Sequence, residues 1–284
     1  MSRCLVTGNR GFIGGHLEQF LVSQGEDTFG FDIIQDYPTV EVLEDFMRIN
    51  KIEKVYHLGA QAFIPECYGS KILSVLQSNT VFTADLLVAS QRVGVQKLLY
   101  FSTSEVYGTP RYIPVDESHP VHPQSTYAAT KYAAESLCRT FGRESDLDTV
   151  ILRHFNIYGP EDKWPRIVPK IIKSAVKKEP LLLGNPEIQR DLTHVHDAVS
   201  IAYLLMEADT PNGEIYNSGT GRSISLRTLV DMIYGIAAAA IVGFLSIGFL
   251  LKIAKRINFG KFCIALGILY LAIAGISIAL PVIA

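Results

Sequence analysis

The feature that most limits what this chain can fold into is a turn, Thr7-Gly-Asn-Arg-Gly11-Phe-Ile-Gly14, entered from the apolar run at 3–7 and left by a helical pattern reaching about Ser23. Glycines at 8, 11 and 14 permit a tight reversal, close approach of backbone amides to an anion, and close packing of helix on strand. A helix N-terminus is partially positive, so the bend is shaped for a pyrophosphate. Phe12 and Ile13 sit inside it and are assigned to the same contact.

The pattern beyond it alternates. Strands are expected at 27–32, 54–58, 97–102, 149–153 and 214–217, and helices at 40–49, 74–93, 125–142, 165–178, from Asp197, and at 226–234. Repeated strand–helix units predict a Rossmann-type parallel α/β sheet covered on both faces, with ligands at the carboxyl ends of its strands. Asp32 ends the second strand where a ribose 2′-hydroxyl would bind; a carboxylate there repels a 2′-phosphate, favouring NAD over NADP. His57-Leu58-Gly-Ala60-Gln61 and Ser102-Thr103-Ser104-Glu105 both begin where apolar strands stop, which places them on the same crevice. Leu58, Ala60 and Ser102 are assigned to the dinucleotide. His57 is read as a hydrogen-bonded core histidine.

Tyr127 and Lys131 stand four residues apart behind Ser125, a good N-cap, in the helical stretch ending near Gly142. That spacing puts both on one face, ~6 Å apart along the axis. An ordinary tyrosine ionises near pH ~10. A cation ~4 Å away is worth about 4 kcal/mol at an effective dielectric of ~20, so Lys131, helped by an oxidised nicotinamide, is expected to lower the phenol by roughly two to three pH units and make it a usable base.

A net charge of −2 gives no electrostatic pull toward nucleic acid. Cys4, Cys67, Cys138 and Cys263 are far apart and have no metal-ligand spacing, so they read as reduced thiols, with no metal expected. The N-terminal run enters the glycine bend at once and does not read as a signal peptide, which suits a cytoplasmic location for 1–234.

With these pieces placed, residues 1 to about 233 resemble the extended short-chain dehydrogenase/reductases, the NAD-dependent nucleotide-sugar epimerase/dehydratase family. The resemblance rests on TGNRGFIG at 7–14, HLGAQA at 57–62, Asn79 with Thr83, STSEVYG at 102–108, YAATK at 127–131, RHFNIYGP at 153–160 and QRDLTHVHD at 189–197. The stretch 101–131 is most similar to nucleotide-sugar 4,6-dehydratases. The resemblance implies NAD as cofactor, with Asn79 among its contacts, and a nucleotide-diphosphate sugar as substrate. It implies that Tyr127 takes the proton of the sugar C4 hydroxyl, Thr103 orients that hydroxyl, Lys131 holds the ribose and Tyr127, and Glu105 is the base at C5. Ser104, Asn156 and Arg190 would hold the substrate, the last two at its diphosphate. Glucose-type dehydratases carry an aspartate where Ser104 stands, so a 4-epimerase, a uronate decarboxylase and a non-catalytic NAD-binding fragment stay open beside the dehydratase. A homodimer is implied through helices 74–93 and 125–142, where Val81, Leu86, Leu137 and Cys138 are apolar.

Two departures stand out. Between Asp32 and His57 there is room for one helix, where the family usually adds a strand. After about residue 234 the expected substrate lobe gives way to 235–284, with no charged side chain at 232–251 or 262–284. Each run is as long as a membrane-spanning helix requires, and the segment resembles the last two helices of undecaprenyl-diphosphate phosphatases without their chemistry. Lys252, Lys255, Arg256 and Lys261 crowd the connection, so the positive-inside rule puts it in the cytoplasm and the NAD domain on the other side. That conflict favours a joined, chimeric reading frame with a truncated lobe over an evolved membrane hairpin.

Overall fold

The computed structural model describes residues 1–32 and 37–256, together with 260–261, 263–264, 266–268 and 270. The chain divides into two compact units, one of Met1–Lys170 with Leu183–Leu226, the other of Ile171–Leu182 with Arg227–Ala284.

The first unit is built on β1 (Arg3–Thr7), β2 (Asp27–Phe31), β3 (Lys54–His57), β4 (Lys97–Thr103) and β5 (Asp148–His154). Next come β6 (Asn156–Tyr158), β7 (Gln189–His194), β8 (Glu214–Ser218) and β9 (Ser223–Ser225). Six strands form a parallel sheet in the order β2-β1-β3-β4-β5-β8. Every residue of β4 is buried, as suits a central strand covered on both faces. The order reverses between β1 and β3, which opens a crevice at the carboxyl ends.

Helices α1 (Phe12–Ser23), α2 (Val40–Ile49), α3 (Ile72–Leu76), α4 (Phe82–Val93), α5 (Thr126–Glu144), α6 (Ile167–Lys177) and α7 (Val195–Glu207) follow in chain order, and α1, α2, α4, α5 and α7 cover the sheet. Successive strand residues point to opposite faces. Leu5, Val55, Leu98 and Ile151 therefore pack with Leu43 and Met47 of α2, Leu86 of α4 and Cys138 of α5. Their neighbours Val6, Tyr56, Leu99 and Val150 pack with Leu17 and Leu21 of α1 and Val199 and Met206 of α7.

The parallel sheet follows the expected pattern closely; several details differ. The helix expected at 74–93 is broken by a π-helical turn at Gln77–Val81 that separates α3 from α4. α7 starts at Val195 rather than Asp197, with His194 as N-cap accepting from the His196 amide at 3.3 Å. A second sheet, β6-β7-β9, occupies segments read without strands of that kind; β6 and β9, of three residues each, are too short to show a period. Of the apolar positions weighed for a dimer face, Leu86 and Cys138 belong to the core, whereas Val81 and Leu137 are each 37% exposed. Among the described residues no strand lies between β2 and β3.

In the second unit, the helix expected at 226–234 continues without a break as α8 (Leu226–Arg256), 31 residues long. Lys252, Lys255 and Arg256 lie within this helix rather than in a connecting loop. Tyr234 on α8 and Ser174 on α6 are hydrogen-bonded at 3.0 Å. Ile241, Phe244, Leu245 and Ile247 are more than half exposed, and Leu226–Lys252 is long and apolar enough to cross a membrane. The expected second helix of the hairpin, 262–284, lies largely outside the described residues.

Candidate active site

A cavity of about 710 Å³ opens at the carboxyl ends of β1, β3, β4 and β5. Gly8, Gly11, Phe12, Ile13 and Gly14 form one wall, Leu58 and Ala60 another, and Asp32 one end. Ser102, Thr103, Ser104, Glu105, Tyr127, Lys131 and Asn156 line the remainder. A smaller recess of about 310 Å³ shares Gly8, Asp32 and Ala60 and adds Tyr37 and Phe82.

The bend closes only with glycine. Gly8 adopts φ +72°, and a Cβ there would lie 2.9 Å from the Gly59 nitrogen. At Gly14 a Cβ would come within 2.1 Å of the Gly8 carbonyl oxygen. α1 starts behind Gly11 with no side-chain cap, so its first amides are available to an anion. Asp32 accepts from the Arg10 amide at 3.3 Å beside this bend.

His57 is a satisfied core residue. Its Nδ1 meets Thr7 Oγ1 at 2.7 Å and its Nε2 meets Thr83 Oγ1 at 2.9 Å; burial, then the charge of Lys131, lowers it to about 3. Asn79, read as a cofactor contact, does not line the cavity. Its side chain instead accepts from the Gln61 amide (2.8 Å) and donates to the Gln61 carbonyl (3.2 Å) and Thr130 Oγ1 (3.1 Å), holding the loop after β3.

α5 begins behind Ser125, whose hydroxyl accepts from the Ala128 amide at 3.1 Å. This puts Tyr127 and Lys131 in its first two turns, at the cavity. Lys131 is 2% exposed, with Nζ 4.1 Å from the centroid of the Tyr100 ring. Burial lowers it to about 7, against the pull of Glu135. The expected lowering of Tyr127 does not occur in the protein itself. Burial raises the phenol to about 12, while a hydrogen bond with Thr103 and the charge of Arg166 work against that rise and Glu105 adds to it. Desolvation outweighs the Thr103 hydrogen bond and the Arg166 charge, and the Lys131 ammonium lies over the Tyr100 ring.

Glu135, four residues beyond Lys131, anchors this helix. Arg153 of β5 donates to it from Nε at 3.0 Å and from its terminal nitrogen at 2.7 Å, and Ser102 of β4 donates to the same carboxylate. The Arg153 guanidinium also lies 4.7 Å from the Tyr107 ring centroid. The i, i+4 spacing of Lys131 and Glu135 was the available signal for it.

Thr103 caps the turn Ser104–Tyr107 by accepting from the Glu105 amide at 3.2 Å, which carries Ser104 and Glu105 onto the wall. Asn156 lines the cavity and bonds the Asp191 carbonyl at 3.4 Å. Arg190 does not reach the cavity wall; its guanidinium bonds the Gln189 carbonyl at 2.9 Å, two residues back from Leu192, which does line it. A different arginine is there. Arg166, paired with Asp162 at 3.6 Å, stands on the wall beside Trp164, whose ring stacks on Phe63 at 4.9 Å.

The comparisons with known proteins agree with this geometry. A model of the NAD dependent epimerase/dehydratase family matches residues 4–219. Protein CapI of Staphylococcus aureus is 30% identical, the match covering 81% of this chain and 82% of that protein. Among solved structures, UDP-glucose 4-epimerase from Thermotoga maritima with UDP-glucose superposes with a TM-score of 0.77 at 28% identity, over 83% of this chain and 82% of that one. TunA, an NAD-dependent NDP-hexosamine 5,6-dehydratase of tunicamycin biosynthesis, gives 0.76 at 30% identity over 84% and 82%. With its glycine bend, its crevice and its Tyr127–Lys131 helix in their places, the chain belongs to the NAD dependent epimerase/dehydratase family.

Proposed function

We propose that the protein is an NAD-dependent nucleotide-sugar 4,6-dehydratase acting through transient oxidation at C4. NAD fits the residues present: the glycine bend and the start of α1 suit its pyrophosphate, Asp32 its adenosine ribose, and Ser102, Tyr127 and Lys131 its nicotinamide end. When bound, NAD accepts the C4 hydride and returns it to the sugar. Tyr127 takes the C4 hydroxyl proton, with Thr103 orienting that hydroxyl. The resulting ketone acidifies the C5 hydrogen, which Glu105 removes as a proton and passes to the departing C6 hydroxyl, releasing water, and C5 takes a proton from solvent through Glu105 as the hydride is returned to C6. Arg166, rather than Arg190, is suited to the substrate diphosphate, with Asn156 beside it.

The observation that carries this reading is Glu105, a carboxylate on the cavity wall near enough to Tyr127 for its charge to raise the phenol. A simple C4 epimerase has no use for it. Ser104, where an acid would stand in glucose-type enzymes, is what favours the second reading, a 4-epimerase or uronate decarboxylase.

The test is incubation with NAD and UDP-glucose or GDP-mannose in deuterated water, followed by NMR. A 4-keto-6-deoxy product carrying deuterium at C5 is expected, and Glu105→Gln should stop elimination. A C4 epimer with no elimination would replace the dehydratase by the second reading.

A further inference from the structure

Two buried histidines lie close to Lys131, and their bonding differs completely. His57 has a hydroxyl on each ring nitrogen. His154, 5% exposed, has no protein partner on either nitrogen. It closes β5, in register with Thr103 on β4 and Ser218 on β8, and its ring lies 5.0 Å from that of Phe101. Buried imidazoles normally have partners, so an unpaired one on a cavity wall is suited to a ligand.

The cavity has a direction that says which part of the ligand. A dinucleotide with its pyrophosphate on the Gly8–Gly14 bend and its adenosine ribose at Asp32 has its nicotinamide at the opposite end, among Thr103, Tyr127, Lys131 and His154. We infer that the His154 imidazole is a hydrogen-bonding partner of the nicotinamide carboxamide. The inference rests on the use of NAD by this family and adds a contact special to this side chain. Burial, then Lys131, lowers the ring to about 3, so it is neutral at ordinary pH. A neutral imidazole has an unprotonated nitrogen that accepts, which suits the amide's NH₂, and it does not repel the positive ring of the oxidised cofactor.

Calorimetric titration of the full chain with NAD, with its 3-acetylpyridine analogue, in which a methyl replaces the NH₂, and with ADP-ribose tests this. His154→Phe should weaken NAD about five- to tenfold, the loss of a neutral hydrogen bond, leave ADP-ribose unchanged and erase the preference for NAD over the analogue. His154→Asn, which keeps a donor and an acceptor, should recover part of the affinity, and thermal melting shows that each variant folds. Equal losses on all three ligands would make His154 a packing residue, and unchanged NAD affinity would remove the contact; either overturns the inference. Failure of the unsubstituted chain to bind ADP-ribose would instead overturn the seating of the dinucleotide.

Discussion

Glu135 and Arg153 are joined by two hydrogen bonds, of 2.7 and 3.0 Å, with side chains 1% and 2% exposed. The pair links α5 to β5 and so fixes the rotation of the helix that carries Tyr127 and Lys131. Breaking one side leaves a buried charge alone, at a cost of about 3–5 kcal/mol. Glu135→Gln or Arg153→Met should therefore destabilise strongly in urea denaturation, while a double replacement by apolar residues should recover most of the loss.

Lys131 should give the protein a distinctive alkaline profile. Its folded value, about 7, lies below its ordinary 10.5, so between these pH values the unfolded chain binds more protons and stability rises with pH. Below about 7 the penalty is complete and constant. Tyr127, raised to about 12, acts oppositely above pH 10, where stability falls as pH rises. Lys131→Met should flatten the rise between pH 7 and 10 in denaturation curves collected across that range.

Tyr127→Phe removes the phenolic oxygen with little change of shape. Turnover on the nucleotide sugar should fall about 10²–10⁴-fold, the usual contribution of a positioned acid or base. Binding of NAD, measured by calorimetry, should change far less.

Gly14→Ala places a Cβ 2.1 Å from the Gly8 carbonyl oxygen, a clash with backbone that no rotamer relieves. Loss of NAD binding is expected, with destabilisation of about 1–3 kcal/mol. Gly25→Ala, with φ +85° but open space around its Cβ, is the comparison, since it tests the cost of a left-handed backbone alone.

The α8 prediction concerns the apolar surface from Ile236 to Leu251. The full chain should enter the detergent phase in a phase-separation assay, and Ile241→Lys with Leu245→Lys should return it to the aqueous phase. Aqueous behaviour of the unsubstituted chain would end the reading of 235–284 as a membrane segment.

Residues such as Leu98, Leu99, Val150 and Ile151 made the sheet readable, because strands buried on both faces are continuously apolar and bounded by turn residues. β6 and β9 offered no such run. The π-helical turn around Asn79 is invisible in composition, since the same residues suit an ordinary helix. The bend and the Tyr127–Lys131 face were legible from local spacing once the strands and helices around them were placed. What spacing could not convey was desolvation: the same four-residue interval suits a lowered phenol in water and a raised one in a buried wall. Arg190 and Arg166 show the same limit, for nothing local distinguishes an arginine facing a cavity from one bonded to its own backbone.

The outermost position of β2 has a kinetic corollary. With the sheet ending at that strand, the adenosine end of the crevice has Asp32, Tyr37 and Phe82 nearby but no further strand among the described residues to flank it. A cofactor held firmly at one end and loosely at the other exchanges with the surrounding pool. Purified preparations should then depend on added dinucleotide, making NAD a visitor that comes and goes instead of a permanent tenant.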